Sequence, residues 1–144
     1  MEAVRATLYF DGAARRNPGP GGAGAVLTGR GRTILISVPL EGDVTNNVAE
    51  YAGLIAGLRK ALALGVTHLE VVGDSELVVF QMTGRYRVTK EHLQLLQEEA
   101  AGLVSRFKVV TWRTVPRALN AQADQQANLA ADRAEAGRPK RARG

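Results

Sequence analysis

Four acids far apart in the chain, Asp11, Glu50, Asp74 and Asp124, are the residues best suited to do chemistry together. Asp11 follows the apolar run Leu8-Tyr9-Phe10 and precedes Gly12, Glu50 lies inside a helical pattern, Asp74 follows Leu69-Glu70-Val71-Val72-Gly73, and Asp124 stands in the opening turns of the last helical stretch. If they converge, they make an all-oxygen site for a hard cation, with Asp11 as its pivot. The chain has no cysteine. Disulfides and thiolate metal sites are therefore excluded, and only His68 and His92 could add an imidazole to such a site.

Each acid also has a local explanation. Asn47-x-x-Glu50 fits a capping box, in which the carboxylate returns to the start of its own helix. Asp74 at a strand-to-helix junction fits an N-cap, and Asp124 in a first turn would suit the positive end of the helix dipole. Whether these local roles or a shared site prevails depends on where the elements place the four side chains.

The elements read as follows. Residues 4–10 alternate as a strand, with Val4, Ala6, Leu8 and Phe10 on one face and Asp11 falling on the other, more polar face. Asn17-Pro18-Gly19-Pro20-Gly21-Gly22 is a loop. Residues 23–28 and 33–38 flank Gly29-Arg30-Gly31-Arg32, a hairpin signal with two glycines able to take positive φ. A helix is predicted over residues 47–64, stopped by Gly65 and started by Thr45-Asn46-Asn47. A short strand ends at Gly73, a helix runs from Ser75 to about Met82, and Leu93, Leu96, Ala100, Leu103 and Phe107 mark a third helix. Residues 107–112 form a fifth strand, residues 114–119 a loop, and Asn120 is expected to cap a final helix reaching Ala136.

The order β-β-β-α-β-α-α-β-α predicts an α/β fold. Its five-stranded mixed sheet has three antiparallel strands, then parallel ones, with helices on both faces. With strands one and four adjacent and parallel, Asp11 and Asp74 would both end strands at one sheet edge, where such sheets place their ligand sites. Gly19, Gly21 and Gly24 match a G-x-G-x-x-G dinucleotide pattern. The match fails in context, because residues 25–27 lead to a second turn instead of the helix that would receive a pyrophosphate.

At 144 residues, 45% apolar and 23% charged, the chain has the size and composition of one soluble domain without a membrane-spanning segment or a signal-peptide core. A cytoplasmic location is the default expectation. Of the net charge of +5, Arg138, Lys140, Arg141 and Arg143 contribute four units, so the first 137 residues are nearly neutral. We therefore divide the chain into a domain over residues 1–137 and a basic, flexible tail over 138–144, where Gly137-Arg138-Pro139 breaks the helix.

Tyr9-Phe10-Asp11-Gly12-Ala13 with Asn17-Pro18-Gly19, Thr45-Asn46-Asn47-Val48-Ala49-Glu50, Gly73-Asp74-Ser75 and Asn120-Ala121-Gln122-Ala123-Asp124 resemble the type 1 ribonuclease H family, in that order and spacing, over about residues 5–135. The resemblance implies a ribonuclease H-like fold and endonucleolytic cleavage of the RNA strand of RNA–DNA hybrids, leaving 5′-phosphate and 3′-hydroxyl ends. It makes Asp11, Glu50, Asp74 and Asp124 both catalytic and metal-binding. Magnesium prefers oxygen ligands, and two ions about 4 Å apart, held by carboxylates and substrate phosphate, suit such hydrolysis; manganese is expected to substitute. Gly12, Asn17, Thr45, Asn46, Asn47 and Ser75 fall at positions implied to meet the hybrid, Thr45 at one that holds a DNA-strand phosphate. The short amides suit the 2′-hydroxyl edge of its wide minor groove.

The sequence departs from the family pattern in four places. The loop before Asp124 carries Arg117 where many members have a histidine, which points to Arg117 as a catalytic donor. Residues 83–90 are too short for the basic protrusion many relatives carry. Asp43 stands where some have an arginine beside Thr45, and Glu76 replaces an amide. A monomer with no obligate protein partner is expected. The alternatives are a related metal nuclease acting on double-stranded RNA or DNA, and a non-catalytic hybrid-binding module.

Overall fold

The computed structural model describes residues 2–139. Five strands, β1 (Arg5–Ala14), β2 (Gly21–Gly29), β3 (Arg32–Pro39), β4 (His68–Gly73) and β5 (Val109–Thr114), form one sheet in the order β3-β2-β1-β4-β5. β1 pairs antiparallel with β2 and parallel with β4. β3 is antiparallel to β2, and β5 parallel to β4. The helices are α1 (Asn46–Ala63), α2 (Glu76–Met82), α3 (Glu91–Val104) and α4 (Ala121–Ala136). Among the described residues no helix is long and apolar enough to cross a membrane.

The alternation in β1 decides which helix meets which face. Leu8 and Phe10 point into a core shared with Tyr51, Leu54 and Leu58 of α1. Residues of opposite parity face α4, whose buried side is Ala123, Ala127, Ala130 and Ala131. That face can be alanine-only because the strand beneath it is bare: a Cβ on Gly24 would lie 2.4 Å from the Ala123 carbonyl oxygen and the Ala127 nitrogen. Small residues on both sides bring the helix backbone onto the sheet. Deep in the core the Tyr51 hydroxyl donates to Gln81 Oε1 at 2.6 Å, satisfying two polar groups that burial would otherwise strand.

Four expectations are corrected by the backbone. β1 does not stop at Phe10 but pairs with β2 as far as Ala14↔Gly21, so Asp11 lies within a strand. The β2–β3 hairpin closes with the two residues Arg30 and Gly31, both at positive φ (52° and 73°), so Arg30 takes a left-handed position expected of Gly29. The two-residue turn with both centres at positive φ follows the strands' right-handed twist, and the Arg30 side chain is exposed. The fifth strand starts at Val109, and the predicted loop before α4 contains a 3₁₀ turn, Arg117–Asn120. No helix follows Gly24, which excludes the dinucleotide pattern.

Candidate active site

The β1–β4 ladder ends at Phe10↔Gly73, and the next residue on each strand is an aspartate. Asp11 is 5% exposed, and its Oδ1 accepts the backbone N–H of Gly12 at 2.9 Å. Glu50 arrives on α1, which can settle on β1 because two glycines lie in the contact. A Cβ at Gly12 would sit 2.1 Å from the Ala49 carbonyl carbon, and one at Gly53 would sit 2.2 Å from the Asp11 carbonyl oxygen. Gly12, expected at the substrate, thus has a packing role here. Asp124 arrives on α4 over Gly24, which pairs with Asp11 across the β1–β2 ladder.

The local explanations for Glu50 and Asp74 fail. Thr45 is the N-cap of α1, its Oγ1 accepting the Val48 N–H at 3.2 Å, so no capping box ties Glu50 to Asn47. Ser75 is the N-cap of α2, its Oγ accepting the Val78 N–H at 3.2 Å, which releases Asp74 from that task. Asn120 corrects the reading in the other direction. Although it stands at the N-cap position of α4, it makes no side-chain cap bond; it is 1% exposed, and its Nδ2 donates to the Phe10 carbonyl (2.8 Å) and to Asp74 Oδ1 (2.7 Å). Nothing in the local pattern around Asn120 marked it as part of the site.

The site is short of positive charge. Burial pushes the Asp11 carboxyl up to about 8, opposed by the Gly12 N–H and reinforced by the charges of Asp74 and Asp124; Asp124 also lies within hydrogen-bonding reach of a protonated Asp11. Burial raises Glu50 as well, opposed by a hydrogen bond from Ser75, reinforced by Asp74 and opposed again by the Arg117 guanidinium. These mutual effects show that the four acids, Ser75 and Arg117 share one electrostatic neighbourhood. Arg117 Nη2 stands 3.5 Å from Asp124 Oδ1, with most of the side chain in solvent.

An all-oxygen, anionic donor set suits a hard divalent cation, which would favour the ionised form of Asp11 that the protein alone disfavours. Among the described residues no group of three or more acids or histidines is set out as a ready-made cage.

Of the expected substrate residues, Asn17, Thr45, Asn46 and Asn47 gather at the N-terminal end of α1, whereas Ser75 caps α2. Asn17 Oδ1 accepts the Asn46 N–H at 3.0 Å, and Asn46 Oδ1 accepts the Ala14 N–H at 3.1 Å, which staples the loop after β1 to the helix start. Asn47 is half-buried beside them, and α1 has no acid in its first turn. Arg138, the first residue of the expected tail, packs back toward this end: its Nη2 is 2.6 Å from Asp43 Oδ1 and 2.8 Å from the Gly42 carbonyl. A guanidinium therefore lies beside the position where the sequence has an aspartate. Residues 140–144 of that tail lie outside the described residues. His68 is half-buried at the start of β4, the opposite end of that strand from Asp74, and His92 is exposed on α3.

A family described as reverse transcriptase-like matches residues 9–130. The ribonuclease H1 of the archaeon Halobacterium salinarum superposes with a TM-score of 0.85, at 41% identity over 90% of this chain and 99% of that one. The chain belongs to the type 1 ribonuclease H family. Another member, the N-terminal RNase H domain of a Mycobacterium tuberculosis protein, was solved as a fusion with maltose-binding protein. It has a TM-score of 0.88 and 43% identity, covering 93% of this chain and 98% of that one. The full-length bifunctional protein of that organism is 47% identical over 133 residues, and this chain spans 36% of its length. A third member, the LC11 RNase H1, was solved in complex with an RNA/DNA hybrid; it has a TM-score of 0.83 and 37% identity over 90% of this chain and 99% of that one.

Proposed function

We propose that this chain is an endonuclease that hydrolyses the RNA strand of RNA–DNA hybrids. The observation that carries the reading is the burial of Asp11 among Asp74, Asp124 and Glu50, an arrangement that is costly without a cation and useful with one. A hybrid bound to the similar LC11 protein supports the substrate class.

Asp11, Glu50, Asp74 and Asp124 would hold divalent ions, with magnesium as the expected metal. When bound, such ions supply activation of water and neutralisation of charge on the scissile phosphate. The protein's own residues do the rest. The N-terminus of α1, with Thr45 as cap and no acid in its first turn, favours a phosphate of the DNA strand. Asn17, Asn46 and Asn47 use their short amides at the minor-groove edge, where 2′-hydroxyls distinguish RNA from DNA.

Arg117 is the donor for the phosphate. A guanidinium has five N–H donors and no acceptor, so it can stabilise developing charge or draw product away but cannot take up a proton. A buried donor of this kind is worth roughly 100- to 1000-fold in rate. Because Arg117 is largely solvated, Arg117→Ala should lower kcat by roughly 10- to 100-fold, and Arg117→Lys should recover part of it, lacking the planar fork. Wild-type turnover in the alanine variant would remove Arg117 from the reaction.

The experiment that tests the function is magnesium-dependent cleavage of 5′-labelled duplexes, RNA–DNA, RNA–RNA and DNA–DNA, with the label on either strand in turn. Cutting confined to the RNA strand of the hybrid is the expected result. Preferential cutting of double-stranded RNA or DNA would move the substrate class, and binding without cutting would reduce the chain to a hybrid-binding module.

A further inference from the structure

We infer that Asn120 is a positioning residue that aims Asp74 into the site; the inference rests on the reading of Asp74 as a ligand for a divalent cation. Pairing between β1 and β4 ends at Phe10↔Gly73, so no ladder restrains Asp74, and Ser75 already serves as the cap of α2. What restrains Asp74 comes from a third element. Both N–H groups of the Asn120 amide are spent on this junction, one on the carbonyl just before Asp11 and one on Asp74 Oδ1. A single planar amide thus ties the backbone leading into one candidate ligand to the carboxylate of another.

The orientation of that amide is fixed by its neighbours. Turned over, its oxygen would face a carbonyl and a carboxylate, two acceptors with no hydrogen between them. In the observed orientation Asn120 Oδ1 is buried and has no hydrogen-bond partner among the described residues. An unpaired buried acceptor is unfavourable for folding. A side chain kept for stability at a site that is 1% exposed would not need this defect, so the donor pair is what Asn120 contributes. Groups that orient a metal ligand in this way carry about 10- to 100-fold in metal affinity or activity.

The test compares wild type, Asn120→Ala, Asp74→Asn and the double variant. Two quantities are read: the Mn²⁺ concentration that gives half of the metal-induced rise in melting temperature, and hybrid kcat and KM in magnesium. Asn120→Ala should raise the Mn²⁺ midpoint and lower kcat, each by about 10- to 100-fold, with little change in hybrid KM. In the Asp74→Asn background the same substitution should leave the midpoint unmoved, because the two residues act as one unit. If Asn120→Ala does not fold, Asn120→Ser, which is smaller than Asn and keeps a donor, takes its place in the same titration. An Asn120→Ala protein with a lower melting temperature but the wild-type Mn²⁺ midpoint would overturn the inference, as would an equal loss in the Asp74→Asn background. A shifted midpoint in a chain that cleaves no duplex would instead overturn the nuclease reading and leave the role of Asn120 standing.

Discussion

Asp11→Asn and Asp74→Asn should each reduce hybrid cleavage by roughly a thousandfold or more while hybrid binding in metal-free buffer is retained or tightened. Asparagine keeps the shape of the side chain and one carbonyl acceptor, so the Gly12 N–H at position 11 still has a partner. It lacks the charge that a hard divalent ion requires. Metal ions supply several kcal/mol of charge stabilisation at phosphorus, and each 1.36 kcal/mol is tenfold in rate. Binding in metal-free buffer should be retained in Asp11→Asn, whose carboxyl is already neutral below about pH 8, and should tighten in Asp74→Asn, where a carboxylate facing an anionic backbone is removed. The comparison needs kcat from a single-turnover assay and Kd from a chelator-treated sample. Near-normal turnover in Asp74→Asn would remove that residue from the ligand set.

The second large effect is on stability. Asp11 is held at about 8 in the folded protein, against 3.8 for the free side chain. Below 3.8 the group is protonated whether the chain is folded or not, and it takes no part in stability. Between 3.8 and 8 the unfolded chain has lost the proton and the folded one keeps it, so the stability of metal-free protein falls as pH rises. Above 8 both states are ionised and the full penalty is present, on the order of a few kcal/mol. Glu50 shifts the same way and deepens the slope. Asp11→Asn removes the contribution of Asp11. At pH 8 and without metal it should melt roughly 5–10 °C above wild type, and the difference should shrink toward pH 4. Saturating magnesium should narrow the gap by stabilising wild type alone. Equal melting temperatures at pH 8 would mean that the carboxyl is ionised in the folded protein without strain.

Both predictions describe one compromise. Residues that make the site useful make the empty domain less stable, and the unpaired Asn120 Oδ1 belongs to the same pattern. The close contacts around Gly12, Gly24 and Gly53 offset this by packing α1 and α4 backbone-close to the sheet, with Glu50 and Asp124 carried on those helices.

Much of this was legible in the sequence. The sequence pattern determined the order and type of the five strands and four α-helices, because alternation at two residues and recurrence at 3.6 are imposed by backbone geometry. Four short blocks in register determined the family and named the four acids. The ends of elements and the duties of polar residues were not determined there. Capping and ligation use the same chemistry, an oxygen accepting a hydrogen bond or holding a cation, so Glu50 and Asp74 each read equally well as local caps. Only the tertiary structure removed the local explanation, by giving the caps to Thr45 and Ser75 and leaving Glu50 and Asp74 free of that task. Asn120 went the other way: read as a cap, it serves residues 46 and 110 positions away. The Arg138–Asp43 contact spans nearly as far. A local pattern reports on neighbours within a turn or two of chain, whereas these pairings, like the raised Asp11 carboxyl, exist only because separate elements are buried against one another, and distance through space is what the sequence does not carry.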